Sequence, residues 1–379
     1  MNSTTAQPSE NNLDVLTEVR GQVGFITLNR PKAFNALSLS MIRMLTQCLL
    51  AWREDERVKA VAIRGSNRTG PFGAFCAGGD IRFFHQAALA GNTELEDFFT
   101  EEYILNHLIH SYSKPYIAFM DGIVMGGGMG ISQGATIRIV TERTRMAMPE
   151  TNIGLFPDVG GGYFLSRCPG RVGEWLALTG EALGAGEAMA LGLADTCLDV
   201  TRQASAWDAL ANTDFAAEGA VDRWLAMYSI AAPAYGKLKT VEIDRYFSLE
   251  SVSAIVHALE TGGDDWAQQT AIALRKRSPL MLHVVLEQIR RGRDMALADD
   301  LRMERDLVHH CFAPQHMGCS ASQSETVEGI RALAIDKDNL PNWKPAHIED
   351  VTPEMVAPFF VSPWSDQTHP LRKLGALSA

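Results

Sequence analysis

Short apolar runs closed by turn residues alternate with stretches of helical period over the first half of the chain. Val23 to Leu28 is such a run, ended by Asn29-Arg30-Pro31, and it predicts a strand. Met41, Leu45, Cys48, Leu49 and Trp52 then recur at helical spacing behind Ser38 or Ser40 as a cap. Val58 to Arg64, Tyr116 to Met120 and Ile137 to Thr141 predict further strands. Strands separated by helices specify an α/β layered architecture, here with a recurring strand-strand-helix rhythm. The stretch from Thr179-Gly180 to Asp195 is rich in Ala, Gly and Leu at helical spacing and closes this unit. Beyond about residue 200 the pattern becomes mainly helical. Ser278-Pro279 is a helix start with Leu282, Leu286 and Ile289 on one face, and Asp294 is expected to open a second helix carrying Leu297, Leu301, Val308 and Cys311. Residues 1–12 are polar and predict a disordered arm. The division expected is therefore 1–12, 13–200 and 201–379.

Composition narrows the classes. A chain of 379 residues with 46% hydrophobic and 21% charged residues is long enough to bury a sizeable core. Its net charge of −11 argues against nucleic-acid or anionic-membrane partners, although a few local cations suffice for an anionic small ligand. Six scattered cysteines without a C-x-x-C pair read as free thiols in a reducing compartment. The pair His309-His310 lacks an H-E-x-x-H arrangement, so no metal is expected. The first dozen residues match neither a signal peptide nor an Arg-rich transit peptide. No apolar run approaches the roughly 18–20 residues of a membrane span. A soluble, cytoplasmic protein is the expectation.

The candidate chemistry lies between Phe75 and Leu165. Phe75-Cys76-Ala77-Gly78-Gly79-Asp80-Ile81 precedes one helical run, and Asp121 to Gly130 contains Gly126-Gly127-Gly128. Backbone N–H groups at Gly79 and Gly127 would make a two-donor oxyanion hole if the strands bring them together; each donor of this kind is worth about 3–4 kcal/mol. Taken singly, each cluster also fits a tight turn. Neither matches G-x-G-x-x-G, and no P-loop pattern occurs. Gly130-Ile131-Ser132-Gln133-Gly134 matches the nucleophile elbow, but the glycine turn falls earlier and leaves Ser132 inside the helix. Glu150 follows Met148-Pro149 at a strand end. Asp158 sits before Gly160-Gly161-Gly162, where a helix cap is the structural alternative. Glu101-Glu102-Tyr103 opens a helical run, where acids also suit the helix dipole. Glycine amides beside paired carboxylates read as acyl chemistry.

These residues resemble the crotonase (enoyl-CoA hydratase/isomerase) superfamily. The match covers Asn29 to Leu37, Phe75 to Ile81, Asp121 to Gly130 and Pro149-Glu150 onward. Within it the chain is most similar to the 3-hydroxyisobutyryl-CoA hydrolase branch, through Glu101 to Asn106, Tyr112 to Tyr116, Phe156 to Gly161, Glu328 to Ala332 and Trp343-Lys344-Pro345. The resemblance implies a spiral of repeated ββα units with a helical C-terminal region, and a CoA thioester whose carbonyl oxygen lies between the Gly79 and Gly127 amides. It implies Glu150 and Asp158 as working carboxylates, Glu102 near the acyl group, and Ala77, Arg30 and Lys32 along the CoA site, the last two near phosphates. CoA enters as part of the substrate, with no separate cofactor; a homo-oligomer is possible. Hydratases carry a second glutamate where this chain has Gly130, so hydration is disfavoured. Hydrolysis of a short branched 3-hydroxyacyl-CoA, as in valine degradation, is the expected reaction. Enoyl-CoA hydration or isomerisation, and non-catalytic acyl-CoA binding, are the alternatives. The stretch Pro314 to Thr326 departs from the branch, which is usually shorter there.

Overall fold

In the main sheet the side chains alternate between two buried faces, and that alternation organises the whole chain. The computed structural model describes residues 13–215, 217–234 and 238–376; the arm expected over 1–12 lies outside them. The strands are β1 (Val15–Arg20), β2 (Val23–Leu28), β3 (Ala60–Asn67), β4 (Gly70–Pro71) and β5 (Tyr116–Met120), then β6 (Ile123–Met125), β7 (Ile137–Val140), β8 (Arg145–Ala147), β9 (Thr196–Leu198) and β10 (Ser229–Ile230). The main sheet runs β1-β2-β3-β5-β7-β9-β10, parallel from β2 to β9 and closed by an antiparallel strand at each end. Val61 and Ile63 enter one core with Ala118 and Met120. Ala60 and Ala62 enter the other with Ile117, Phe119, Trp207 and Trp224. Burial on both faces explains why these strands read as unbroken apolar runs.

A second, smaller layer follows the first. β6 pairs in parallel with β8, and Cys76 bridges Val124, so the chain spirals through strand-strand-helix units. The helices of these units are α1 (Leu39–Glu54), α2 (Ile81–Ala90), α3 (Glu94–His110), α4 (Gly127–Gln133) and α5 (Gly161–Ser166). Ser38 caps α1, accepting from the Met41 amide at 3.3 Å, and Asp80 caps α2 through the Phe83 amide.

The C-terminal helices pack back onto this core. Pro279–Gly292 begins behind Ser278, whose hydroxyl accepts from the Met281 amide, and lies against α5. The next helix, Leu297–Phe312, packs on α3; it starts after Ala296, so Asp294 does not open it. Trp343 is 8% exposed and donates its indole N–H to the Lys276 carbonyl, which anchors the tail.

Candidate active site

Two backbone turns meet at the centre of the spiral. Leu37 pairs with the Gly79 segment by donating to the Gly78 carbonyl and accepting from the Asp80 amide, at 2.8 and 3.0 Å. In a parallel bridge that pattern uses the neighbours of Gly79 and directs its own N–H to the opposite side. Met125 donates to the Cys76 carbonyl at 2.9 Å, which draws the second glycine turn alongside the first. Gly78 and Gly126 hold φ of 106° and 50°, conformations that favour glycine. A Cβ built on Gly78 would lie 3.6 Å from the Gly127 nitrogen. Gly127 opens α4, so its N–H has no intrahelical acceptor. Neither the Gly79 nor the Gly127 amide donates to any acceptor among the described residues. The two sequence-distant amides are therefore neighbours and free.

Glu102, Glu150 and Asp158 are brought together around these amides, only 2%, 8% and 6% exposed. Helix phase separates Glu102 from Glu101: Glu101 binds Arg43 at the surface, while Glu102 turns inward. A Cβ on Gly127 would meet Glu102 Oε1 at 2.7 Å, and one on Gly126 would meet Glu150 Oε1 at 2.6 Å. The bare glycines thus make room for the carboxylates as well as for a ligand. One oxygen of Glu102 and one of Glu150 have no partner among the described residues.

Asp158 is not a helix cap. Its carboxylate accepts from the Tyr103 hydroxyl at 2.9 Å. The capping is done from the C-terminal region, where Glu304 accepts from the Gly160 and Gly162 amides at 2.7 and 2.9 Å and Asp300 accepts from Tyr163. Gln288 donates to the Pro157 carbonyl at 2.7 Å and to Glu304. The Asp158 turn, with Val159 at φ 55°, is thereby gripped on both flanks.

Burial dominates the electrostatics. It pushes Glu102 and Glu150 well above the usual carboxylate range, reinforced by the neighbouring acids. It raises Asp158 to about 7 against the opposing hydrogen bond from Tyr103. Burial thus favours the protonated form across the cluster. Its cavity, about 720 Å³, is otherwise lined mostly by apolar side chains, including Phe84, Phe99 and Leu333, with Asn152 as the further polar one and Ala77 at the glycine edge.

The remaining candidates separate. The Arg30 guanidinium is engaged by Asp80 at 2.7 Å and by the Ala36 carbonyl, so it braces the loop. Lys32 is exposed, with no ion pair among the described residues. Ser132 donates back to the Gly128 carbonyl inside α4 and is buried, unfit as a nucleophile. His309 pairs with Glu96, and His310 with the Val361 carbonyl. Among the described residues no group of three or more His, Cys, Asp or Glu is placed to hold a metal ion. Sequence reasoning missed Tyr103, Gln288, Glu304 and Leu333. Only Tyr103 left a signal, as the neighbour of Glu102 on an inward-facing helix.

The spiral and its amide-and-carboxyl cavity define a crotonase-fold protein. A family model described as enoyl-CoA hydratase/isomerase matches residues 23–360, and the chain belongs to that family. A Danio rerio protein named 3-hydroxyisobutyryl-CoA hydrolase, mitochondrial is 41% identical, covering 92% of this chain and 90% of that one. An Arabidopsis thaliana protein named probable 3-hydroxyisobutyryl-CoA hydrolase 3 is 40% identical, with 91% of each covered. Among solved structures, one described as a carnitinyl-CoA dehydratase from Mycobacterium thermoresistibile superposes with a TM-score of 0.84. It is 38% identical and covers 92% of this chain and 97% of that one. One described as an enoyl-CoA hydratase from Rhodobacter sphaeroides gives 0.82 at 36% identity, with 93% and 98% covered.

Proposed function

We propose that this protein hydrolyses the CoA thioester of a short branched 3-hydroxy acid, of the 3-hydroxyisobutyryl type, to the free acid and CoA. The curated relatives support the reaction, and the meeting of two free amides with three buried carboxyls in one cavity carries it. The Gly79 and Gly127 N–H groups receive the thioester oxygen, and their donation strengthens as it becomes an oxyanion, with the N-terminus of α4 behind it. The thiol leaves readily, since its pKa lies near ~8.5. Side chains are then needed mainly to activate the attacker. In direct hydrolysis a carboxylate, Asp158 or Glu150, takes the proton of water as the water oxygen bonds to the carbonyl carbon, and the C–S bond breaks to release CoA. In the anhydride route Glu150 attacks the carbonyl carbon, the C–S bond breaks to release CoA, and water activated by Asp158 cleaves the anhydride. A single turnover in ¹⁸O-water separates the two: label in the Glu150 carboxylate supports the anhydride.

Glu102 faces the acyl group, and Lys32 and Arg30 lie along the CoA site, where they meet its phosphates. The pathway suggested is valine degradation. The animal relative is named mitochondrial, whereas the cytoplasmic expectation rested on residues 1–12, outside the described residues. No helix among the described residues is long and apolar enough to cross a membrane.

Hydration is the second reading, favoured by the names of the two structurally similar proteins and by Glu102, a further carboxyl beside Gly127 despite the bare Gly130. A thiol-release screen across short acyl-CoAs, beside crotonyl-CoA absorbance, decides between them. Thiol release lost in Glu150→Ala and Asp158→Ala supports hydrolysis; crotonyl-CoA turnover without thiol release overturns it.

A further inference from the structure

A second cavity, of about 740 Å³, shares no lining residue with the first yet is built from the same three elements. α3 gives Glu102 to the first and Asn106 to the second; α4 gives Gly127 and Gly130; the carboxylate turn gives Asp158 and Val159. Both helical pairs are spaced by about one turn, roughly 4.5–6 Å along the axis, so about one helical turn forms the partition between the cavities.

Asn106 marks the inner end of this rear cavity. It is 3% exposed, and neither its Nδ2 nor its Oδ1 has a partner among the described residues. A Cβ on Gly130 would press to 2.9 Å from Asn106 Nδ2 and 2.6 Å from Val159 Cβ, so the bare glycine leaves the amide its place beside the partition. A buried amide with both ends unpaired is costly, and a cavity beside it that brings in further polar groups from Gln133, His110 and Tyr163 can hold ordered water. The rim chemistry points the same way. Arg138 is bound to Asp195, Gln133 and the Gly192 carbonyl, and Arg167 to the Tyr163, Gly292 and Met295 carbonyls. Burial keeps His110 below its ordinary range and so uncharged at neutral pH. Among the described residues each lining arginine is already engaged, Arg138 with a carboxylate and Arg167 with three carbonyls, which favours a neutral hydrogen-bonding occupant.

Each hydrolytic turnover consumes one water while a CoA thioester fills the front cavity. We propose that the rear cavity is the water inlet of this reaction, with the Asn106 amide holding the water that passes Gly130 and Val159 to reach Asp158. The proposal rests on the hydrolase reading, and its test separates the two. Asn106→Leu removes the hydrogen-bonding groups, and Leu297→Trp narrows the rim; neither residue lines the front cavity. Both are expected to lower kcat for thiol release about tenfold or more, with the affinity for a non-hydrolysable thioether analogue of the substrate unchanged. A crystal structure of the full chain with that analogue should show ordered waters running from Asn106 to Asp158. Wild-type kcat in both variants overturns the inlet, as does a rear cavity that is dry or filled by a second subunit. Should Asn106→Leu fail to fold, Leu297→Trp decides alone. If the wild-type protein binds the analogue but releases thiol from no short acyl-CoA thioester, the hydrolase reading has failed by itself; a water file to Asp158 then still supports the inlet, and its absence overturns it.

Discussion

Asp158 keeps its proton into the neutral range because burial penalises its charge more than the Tyr103 hydroxyl favours it. A base in that condition works only once ionised, so kcat should rise with pH through about 7. Asp158→Asn should lose that limb and about 10²–10⁴ in kcat, checked by pH-rate profiles of thiol release. Unchanged kcat in Asp158→Asn would remove it from the mechanism. At Gly127 the test is steric: an added Cβ would sit 2.7 Å from Glu102 Oε1, so Gly127→Ala must shift either the carboxylate or the amide. One lost oxyanion donor corresponds to about 10²–10³ in kcat. Binding of the thioether analogue should change little, and a variant that binds tenfold worse at full kcat would contradict the placement. Much of this residue-level picture was legible beforehand, since Gly79, Gly127, Glu150 and Asp158 were all singled out from local pattern. Arg30 was not, because a guanidinium's partner 50 residues away leaves no local trace.

At the scale of elements, the turn bearing Asp158 depends on helices more than a hundred residues downstream. Glu304 accepts from two glycine amides and from Gln288, while Gln288 also holds Pro157. Glu304→Ala leaves those buried donors unpaired and should destabilise the fold by about 3 kcal/mol, read by urea denaturation. It should also lower kcat with a smaller effect on KM, because the grip aims Asp158 without touching substrate. Full activity with intact stability would show the grip to be dispensable. None of this was legible in the sequence. The apolar strands and the Ser38 and Ser278 caps were, since period and cap chemistry are local. The strands β6 and β8 span three residues each, too few to show a period, and they are what bring the second glycine turn to the first.

For the whole molecule, the buried acids tie stability to pH in a direction opposite to activity. Burial raises Asp158, Asp300 and Glu325 to about 7 against their hydrogen bonds, and lifts Glu102, Glu150 and Glu304 well above the ordinary range. In the unfolded chain the same groups release their protons near ~4. From there to about 7 these acids hold more protons in the native state than in the unfolded one, so their contribution to stability falls as pH rises through that window. Carboxylates of the opposite kind limit the acid side. For Glu96, burial is outweighed by His309 and Arg305, which hold it at about 2, and this stability is present above ~4 and lost as pH falls toward 2. The urea midpoint should therefore be higher near pH 5 than at pH 8, by on the order of 1.4 kcal/mol per group for each unit of retained shift, an upper bound for coupled acids. Asp158→Asn should gain stability at pH 8 and little at pH 5, since the amide abolishes a charge the fold resists. A midpoint equal or higher at pH 8 would mean that water or relaxation solvates the acids in the native state. Where the fall is found, the protein spends stability to keep ionisable acids beside a thioester, and the pH at which it works best lies above the pH at which it is most stable.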